Sequence, residues 1–226
     1  MTTDEAPKTS QPFQFYSRLH LRELTGVKAK NLKELVSFLK VVPDAVIYHH
    51  THHFLQQHQS LSPEPTNDFS HWVTFALNEV ELGEKLASIN AIEFPSIQEL
   101  RAKIVSTIEN FLEKTKRELR EANEGQELYF LKSISFIFPT PYQVTSLEEF
   151  VAALEKVTTD SIYFHMFEAR LYRGKGTNDF SIWCQQALGE TELAKQISRL
   201  DSYTYTLEGL RGKIIALGRA RLKKTA

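Results

Sequence analysis

The sequence has little of several features that mark common protein classes. Its 226 residues include one cysteine, nine glycines and eight prolines. The single cysteine, Cys184, cannot form an intrachain disulfide or build a cysteine-based zinc cluster. So few glycines and prolines favour long helices over a β fold with many turns.

Long apolar segments are also missing. No run approaches the ~18 apolar residues that span a bilayer, and the first residues, MTTDEAPKTSQP, lack the apolar core of a signal peptide. We therefore expect a cytoplasmic protein without a membrane segment, in which residues 1–12 form a disordered N-terminal tail.

An excess of charge of one sign is absent too. Lysine and arginine number 27 against 28 acidic residues, which gives a formal net charge of −1. A general polyanion binder carries a basic excess, so there is no strong nucleic-acid signal. Hydrophobic residues make up 42% of the chain, enough to bury a core.

What the sequence does contain is an internal repeat. TNDFSHW at 66–72 returns as TNDFSIW at 177–183. Matched segments flank these motifs in the same order: Ile47-Tyr48-x-His50 with Ile162-Tyr163-x-His165, and Leu100-Arg101-x-Lys103-Ile104 with Leu210-Arg211-x-Lys213-Ile214. The pattern predicts one helical repeat over 13–112, a charged helical linker over 113–127 and a second helical repeat with a basic C-terminus over 128–226.

Helical spacing and helix caps dominate each copy. Asn31 and Ser146 are good N-caps that precede apolar residues at helical spacing. An aromatic-rich stretch opens each copy, FYSRLHL and FLKSISFIF, and its partial alternation indicates an extended or irregular flap that Pro139 and Pro141 end in the second copy. We predict an all-α fold, two tandem pseudo-symmetric helical repeats of about four to five helices each.

Six of the eight histidines lie between positions 49 and 71. Comparing the two copies reduces this cluster to a set of polar residues that recurs: His50, His53, Asp68, His165, Glu168 and Asp179. His49, His52 and His58 have no counterparts, and we expect them to have surface roles or a fortuitous affinity for metal.

The recurring set has three interpretations. Residues three apart share a helix face, so His50 and His53 could hold a divalent metal such as Zn, Fe or Mn together with Asp68. The histidine and aspartate could act as a general acid–base pair. Alternatively, each histidine is a buried core residue that is hydrogen-bonded to the aspartate at the start of the next helix.

Further recurring residues are candidates for a ligand-binding surface: Asn67, Trp72, Arg101, Asn178, Trp183 and Arg211. Each type also has a structural interpretation. The asparagines would cap helices, the tryptophans would lie in the core, and the arginines would be solvated or paired with Glu79 and Glu190. Val73 occupies the position of Cys184 in the first copy, so the cysteine is predicted to be a buried apolar residue.

The combined pattern I-Y-x-H, T-N-D-F-S-x-W, L-x-E-x-E-L and L-R-x-K-I resembles an uncharacterised prokaryotic family, a domain of unknown function described as tandem helical repeats. The resemblance covers residues 13–222. It implies a bacterial or archaeal cytoplasmic protein, and it implies no particular activity.

Three functional hypotheses follow. The first is a non-enzymatic helical binding or scaffold module that presents related surfaces to a protein partner or to its own copy. The second is a metal-dependent, hydrolase-like enzyme that uses the His-x-x-His/Glu set with its aspartate. The third is a small-molecule or nucleotide site at the interface of the repeats.

Overall fold

The structure, a computed structural model, describes residues 11–53, 67–115, 119–169, 171, 177–200 and 205–225, with the side chains of His53 and Thr225 outside that description. The chain divides into two compact units. The central unit is Leu19–Phe136, and the terminal unit combines Met1–Arg18 with Ile137–Ala226. The predicted repeat boundaries and the duplication itself stay predictions, and the predicted tail lies outside the described residues except for 11 and 12.

Two long strands pair in a two-stranded sheet, β1 (Phe13–Ala29) and β2 (Leu128–Val144), each of 17 residues. The Thr25 hydroxyl donates to the Phe130 carbonyl, and the Thr140 hydroxyl donates to the Phe15 carbonyl. Opposed residue numbers therefore rise on one strand as they fall on the other, which makes the pair antiparallel. Each strand contributes to both units, because the divisions fall after Arg18 and after Phe136.

The predicted all-α class is therefore wrong, and the protein is mixed α/β. The stretches interpreted as flaps belong to β1 and β2. Pro139 and Pro141 do not end the second stretch, since β2 continues to Val144. Each strand of a two-stranded sheet has one open edge, and proline is tolerated where the missing N–H would face outward.

The central unit contains five α-helices in its described part: α1 (Leu32–Leu39), α2 (Asp44–Tyr48), α3 (Asp68–Phe75), α4 (Val80–Ala87) and α5 (Ile97–Lys114). Helix α2 continues into a π-helical turn, His49–His53, and a 3-10 turn, Ala91–Glu93, precedes α5. Leu128 and Phe130 of β2 join the core of these helices, alongside Leu35, Ile47 and Phe69. The start of β2 thus completes a core made by helices that precede it in the chain.

The terminal unit is built in the corresponding way. It contains α6 (Leu147–Leu154), α7 (Thr159–Tyr163), a π-helical turn (Phe164–Glu168), α8 (Asp179–Gln186), α9 (Thr191–Ser198) and α10 (Leu207–Thr225). The Phe13 ring lies 5.6 Å from the Phe180 ring, and the Phe15 ring 5.7 Å from the Phe150 ring. The start of β1 therefore belongs to the core of helices that lie more than a hundred residues further along the chain.

In the segment predicted as a helical linker, 113–127, helix α5 extends only to Lys114, and residues 119–127 carry no helix. Gly125 adopts a positive φ of 81° in the turn before β2. None of the described helices is both long enough and apolar enough to cross a membrane.

Close packing of α3 on α4 requires glycine at position 83. A Cβ there would collide with the Thr74 side chain and lie 3.3 Å from the Ser70 carbonyl oxygen, whereas a Cβ at Gly212 in α10 meets nothing within 4 Å. We expect Gly83→Ala to lower the free energy of unfolding by about 1–3 kcal/mol through overpacking. Gly212→Ala should raise it by about 0.5–1 kcal/mol, because alanine favours the helix. Urea unfolding followed by circular dichroism measures both, and equal stability of the two variants would refute the close approach.

Candidate functional site

Buried His165 connects β1 to α8 within the terminal unit. It lies in the π-helical turn after α7, and its Nδ1 is 2.9 Å from Oδ2 of Asp179, the first residue of α8. On its other side, the Tyr16 amide of β1 donates to Nε2 at 2.8 Å. Both ring nitrogens thus take part in contacts that attach the strand to the helices.

These contacts determine the tautomer of His165. A backbone N–H can only donate, so Nε2 carries a lone pair and the proton of the neutral ring resides on Nδ1. That Nδ1–H donates to the Asp179 carboxylate. A ring whose lone pair accepts an amide is not available to ligate a metal or abstract a proton, which supports the structural interpretation of this histidine.

His50 makes the matching contacts in the central unit. Its Nδ1 is 2.9 Å from Asp68 Oδ2, and the Leu131 amide of β2 donates to its Nε2 at 3.0 Å. The two pairs differ in their exposure to solvent: the Asp68 side chain is 40% exposed and the Asp179 side chain only 2%. The same geometry is therefore more costly to disrupt in the terminal unit, where the carboxylate has little water around it.

Glu168, predicted as a ligand beside His165, binds an arginine instead. Arg18 Nη1 of β1 lies 2.7 Å from Glu168 Oε2, and both side chains are fully buried. The guanidinium also lies over the Tyr163 ring, 4.1 Å from its centroid. Sequence reasoning missed Arg18. The available signal was a glutamate in a helical turn whose other residues are His165 and apolar side chains, because a buried glutamate requires a partner.

Among the described residues, those predicted to form a metal site do not come together as one. Within the part of the chain that the structure describes, no three His, Cys, Asp or Glu side chains are grouped to hold a metal ion. His50 and His165 are paired with aspartates, Glu168 is paired with Arg18, and the side chain of His53 lies outside the described residues. The predicted Zn, Fe or Mn site gains no support from this arrangement.

Histidines predicted on the surface are buried in the central unit. His49 and His52 are 3% and 2% exposed, and His58 lies outside the described residues. The prediction assumed α-helical spacing through position 53, but the π-helical turn has more residues per turn and rotates these side chains inward.

One of the buried histidines joins a hydrogen-bonded chain with serines of β2. His20 Nε2 is 2.5 Å from the Ser133 hydroxyl, which is 2.9 Å from His49 Nδ1. The Ser135 hydroxyl is 2.9 Å from His20 Nδ1. These contacts link both strands to the π-helical turn of the central unit.

The predicted ligand-surface asparagines are helix caps. Asn67 Oδ1 accepts from the Ser70 amide at 2.9 Å, and Asn178 Oδ1 accepts from the Ser181 amide at 2.8 Å. The Asn67 amide group also donates to the Leu86 carbonyl at 3.0 Å, which joins α3 to α4. Both side chains are buried, and both form hydrogen bonds within the protein.

The two tryptophans lie in the cores and are 6% exposed. Trp72 Nε1 donates to the Gln126 carbonyl and Trp183 Nε1 to the Gln11 carbonyl, each at 2.7 Å. Each indole thus fixes a segment that leads into β2 or β1. Neither ring is placed to stack on a ligand from solvent.

The two recurring arginines bind groups within the fold, although not the predicted ones. Arg101 donates to the Leu39 carbonyl at 2.6 Å and to Asp44 at 2.7 Å.

In the terminal unit, Arg211 donates to the Leu154 carbonyl at 3.3 Å, and its Nε lies 3.1 Å from Glu208. Glu190, the predicted partner of Arg211, pairs with Arg221 at 2.6 Å. The predicted pairing of Arg211 with Glu190 is therefore wrong.

Cys184 is fully buried, as the sequence predicts. Burial, with a smaller effect of the Glu190 charge, raises the pKa of the thiol to about 12. A thiol with so high a pKa is not a nucleophile at neutral pH.

A shallow cleft in the central unit, of about 590 Å³, lies between α4 and α5. Glu81 and Lys85 on its wall are paired with each other at 2.5 Å. None of the predicted site residues whose side chains the structure describes lines this cleft.

The fold and these contacts define a mixed α/β protein of two units, in which His–Asp pairs attach β-strands to helices. The chain belongs to a family of unknown function, DUF5752, whose sequence profile matches residues 10–219. This confirms the family resemblance stated above, while the description as tandem repeats stays untested. The chain is also similar to OrfY from Thermoproteus tenax, with 28% identity, a TM-score of 0.79 and coverage of 94% of this chain and 96% of that one. No curated protein matches the chain.

Proposed function

We propose that this chain is a non-enzymatic protein-binding module whose contact surface is the ribbon face, defined as Leu19, Leu21, Ile134 and Phe136 of the central unit. Leu19, Leu21 and Phe136 are 54%, 47% and 53% exposed, and Ile134 is half-buried. The exposure of these large apolar residues side by side on one sheet face is the observation that carries the proposal.

The register of the strands places these residues together. Lys132 Nζ is 3.0 Å from Glu23, and Thr25 contacts Phe130. Continuing this register, Leu21 lies opposite Ile134 and Leu19 opposite Phe136, and side chains of opposed residues point to the same face.

Three polar residues on the other face of the ribbon are directed inward. His20, Ser133 and Ser135 alternate with the residues of the ribbon face, and they form the hydrogen-bonded chain with His49 described above. These three residues line the interior of the central unit, whereas Arg22 and Leu24 on the same face are exposed and the ribbon face is open to solvent. This is the reverse of the usual alternation in an antiparallel sheet, where apolar side chains face inward.

An exposed apolar sheet face favours binding over catalysis. A two-stranded sheet is marginally stable in water, and contiguous exposed apolar side chains mark interaction sites. The polar residues that could have carried chemistry are engaged in the fold: His50 and His165 with aspartates and strand amides, and Glu168 with Arg18.

Site-specific photocrosslinking tests the proposal. A benzophenone amino acid replaces Phe136 in one variant and Arg22, which is exposed on the opposite face of β1, in a matched control. Irradiation in cells that express each variant should give protein adducts from position 136, identified by mass spectrometry, and few from position 22. Adducts no more abundant at 136 than at 22 would overturn the assignment of this surface.

A further inference from the structure

We infer that the ribbon face binds the ribbon face of a second copy of this chain; this inference rests on the proposed function. The surface consists of two cross-strand pairs, Leu19 with Phe136 and Leu21 with Ile134, followed by the ion pair of Glu23 and Lys132 on the same face. An interface between identical copies requires a surface that is complementary to itself.

A two-fold axis parallel to the strands satisfies that requirement. It places β1 of one copy over β2 of the other, so Leu19 faces Phe136 and Leu21 faces Ile134 in both directions. Sheets that pack face to face in this aligned manner lie about 10 Å apart and interdigitate their side chains. The result is a four-stranded sandwich that buries an apolar layer which the single chain leaves open.

The charges at the end of the face fit the same arrangement. The axis brings Glu23 of each copy opposite Lys132 of the other, so two attractive contacts form across the interface. Both side chains are partly exposed, at 53% and 33%, so a charge of the second copy can reach them. A two-fold axis across the strands would place β1 over β1 and would not bring the two charges together, so charge complementarity selects the axis that runs along the strands.

Sedimentation equilibrium on the purified full-length chain tests the inference. We expect a monomer–dimer equilibrium in the native protein and a monomer for Phe136→Asp. Glu23→Lys and Lys132→Glu each place like charges in contact twice per dimer, and each should weaken the dimer about tenfold. Arg22→Glu, on the opposite face of β1, should leave the equilibrium unchanged.

Mixing the two charge variants provides the sharpest test. Glu23→Lys carries two lysines on this face and Lys132→Glu carries two glutamates, so an equimolar mixture should restore association as a one-to-one heterodimer. Because both substitutions are at exposed positions, the test holds even if Phe136→Asp does not fold. A native chain that is monomeric at all concentrations, or a mixture no more associated than its components, would overturn the inference.

The outcomes separate this inference from the proposed function. If the chain is monomeric but position 136 crosslinks to a different, identified protein, the inference of a second copy is refuted and the proposed protein-binding function is retained. A monomeric chain with no adduct at position 136 would remove both.

Discussion

Replacing Arg18 by methionine is expected to lower the free energy of unfolding by about 3–5 kcal/mol. The guanidinium lies 2.7 Å from Glu168 with both side chains fully buried. Its removal leaves a buried carboxylate without its cation and also ends the contact with the Tyr163 ring. Urea unfolding followed by circular dichroism measures the loss.

Two further variants isolate the buried charge as the cause. Arg22→Met removes an exposed arginine from the same strand and should change the stability by less than about 0.5 kcal/mol. The double variant Arg18→Met with Glu168→Met has no buried charge that lacks its ion-pair partner, so much of the stability should return. A double variant less stable than Arg18→Met alone would contradict this account of the pair.

His165→Leu should cost about 3–5 kcal/mol of stability and His50→Leu about 1–3 kcal/mol. Both substitutions leave a strand amide and an aspartate without their histidine partner. The costs differ because the Asp179 side chain is 2% exposed and the Asp68 side chain 40% exposed, so water can solvate only the second carboxylate. The same unfolding measurement compares the two variants side by side.

Replacing Asp179 as well as its partner His165 provides the control. His165→Leu combined with Asp179→Leu should recover part of the lost stability, because the buried carboxylate that lost its histidine is then also removed. Equal losses for His50→Leu and His165→Leu would argue against solvent exposure as the deciding factor. A metal site predicts a different pattern, in which His50→Ala releases bound metal and stability changes little.

Local features of this fold could be predicted from sequence. Asn31 and Ser146 cap the helices that follow them, and Asn67 and Asn178 cap the helices of the TNDFS motifs. Each cap is a contact between residues three apart, so its chemistry is visible in a short window.

The long-range partners could not be predicted. Phe13 packs with Phe180, and Arg18 pairs with Glu168, across separations of well over a hundred residues. Periodicity indicated that the opening stretch is extended or irregular, but nothing local specifies which set of helices it packs against. The strands were missed as strands because the alternation is only partial: apolar residues recur at Phe13, Phe15, Leu19 and Leu21, but Ser17 and Glu23 break the pattern.

The candidate site was predicted only in part, because its local contacts are visible in the sequence and its long-range contacts are not. The His–Asp pairs were foreseen as one interpretation because each aspartate opens the helix that follows the histidine. Their second partners, the Tyr16 and Leu131 amides, come from strands that sequence reasoning placed in a flap. The burial of His49 and His52 depends on a π-helical turn that α-helical periodicity does not anticipate.

The protonation of the histidine rings tests the central claim, that His50 and His165 attach strands to helices. Long-range ¹H–¹⁵N correlation spectra of uniformly ¹⁵N-labelled protein report which ring nitrogen carries the proton. The account predicts the Nδ1–H tautomer for both residues, with an unprotonated Nε2 that accepts the Leu131 or Tyr16 amide. A protonated Nε2 in the neutral ring of either histidine would contradict it, because that nitrogen could not then accept the strand amide.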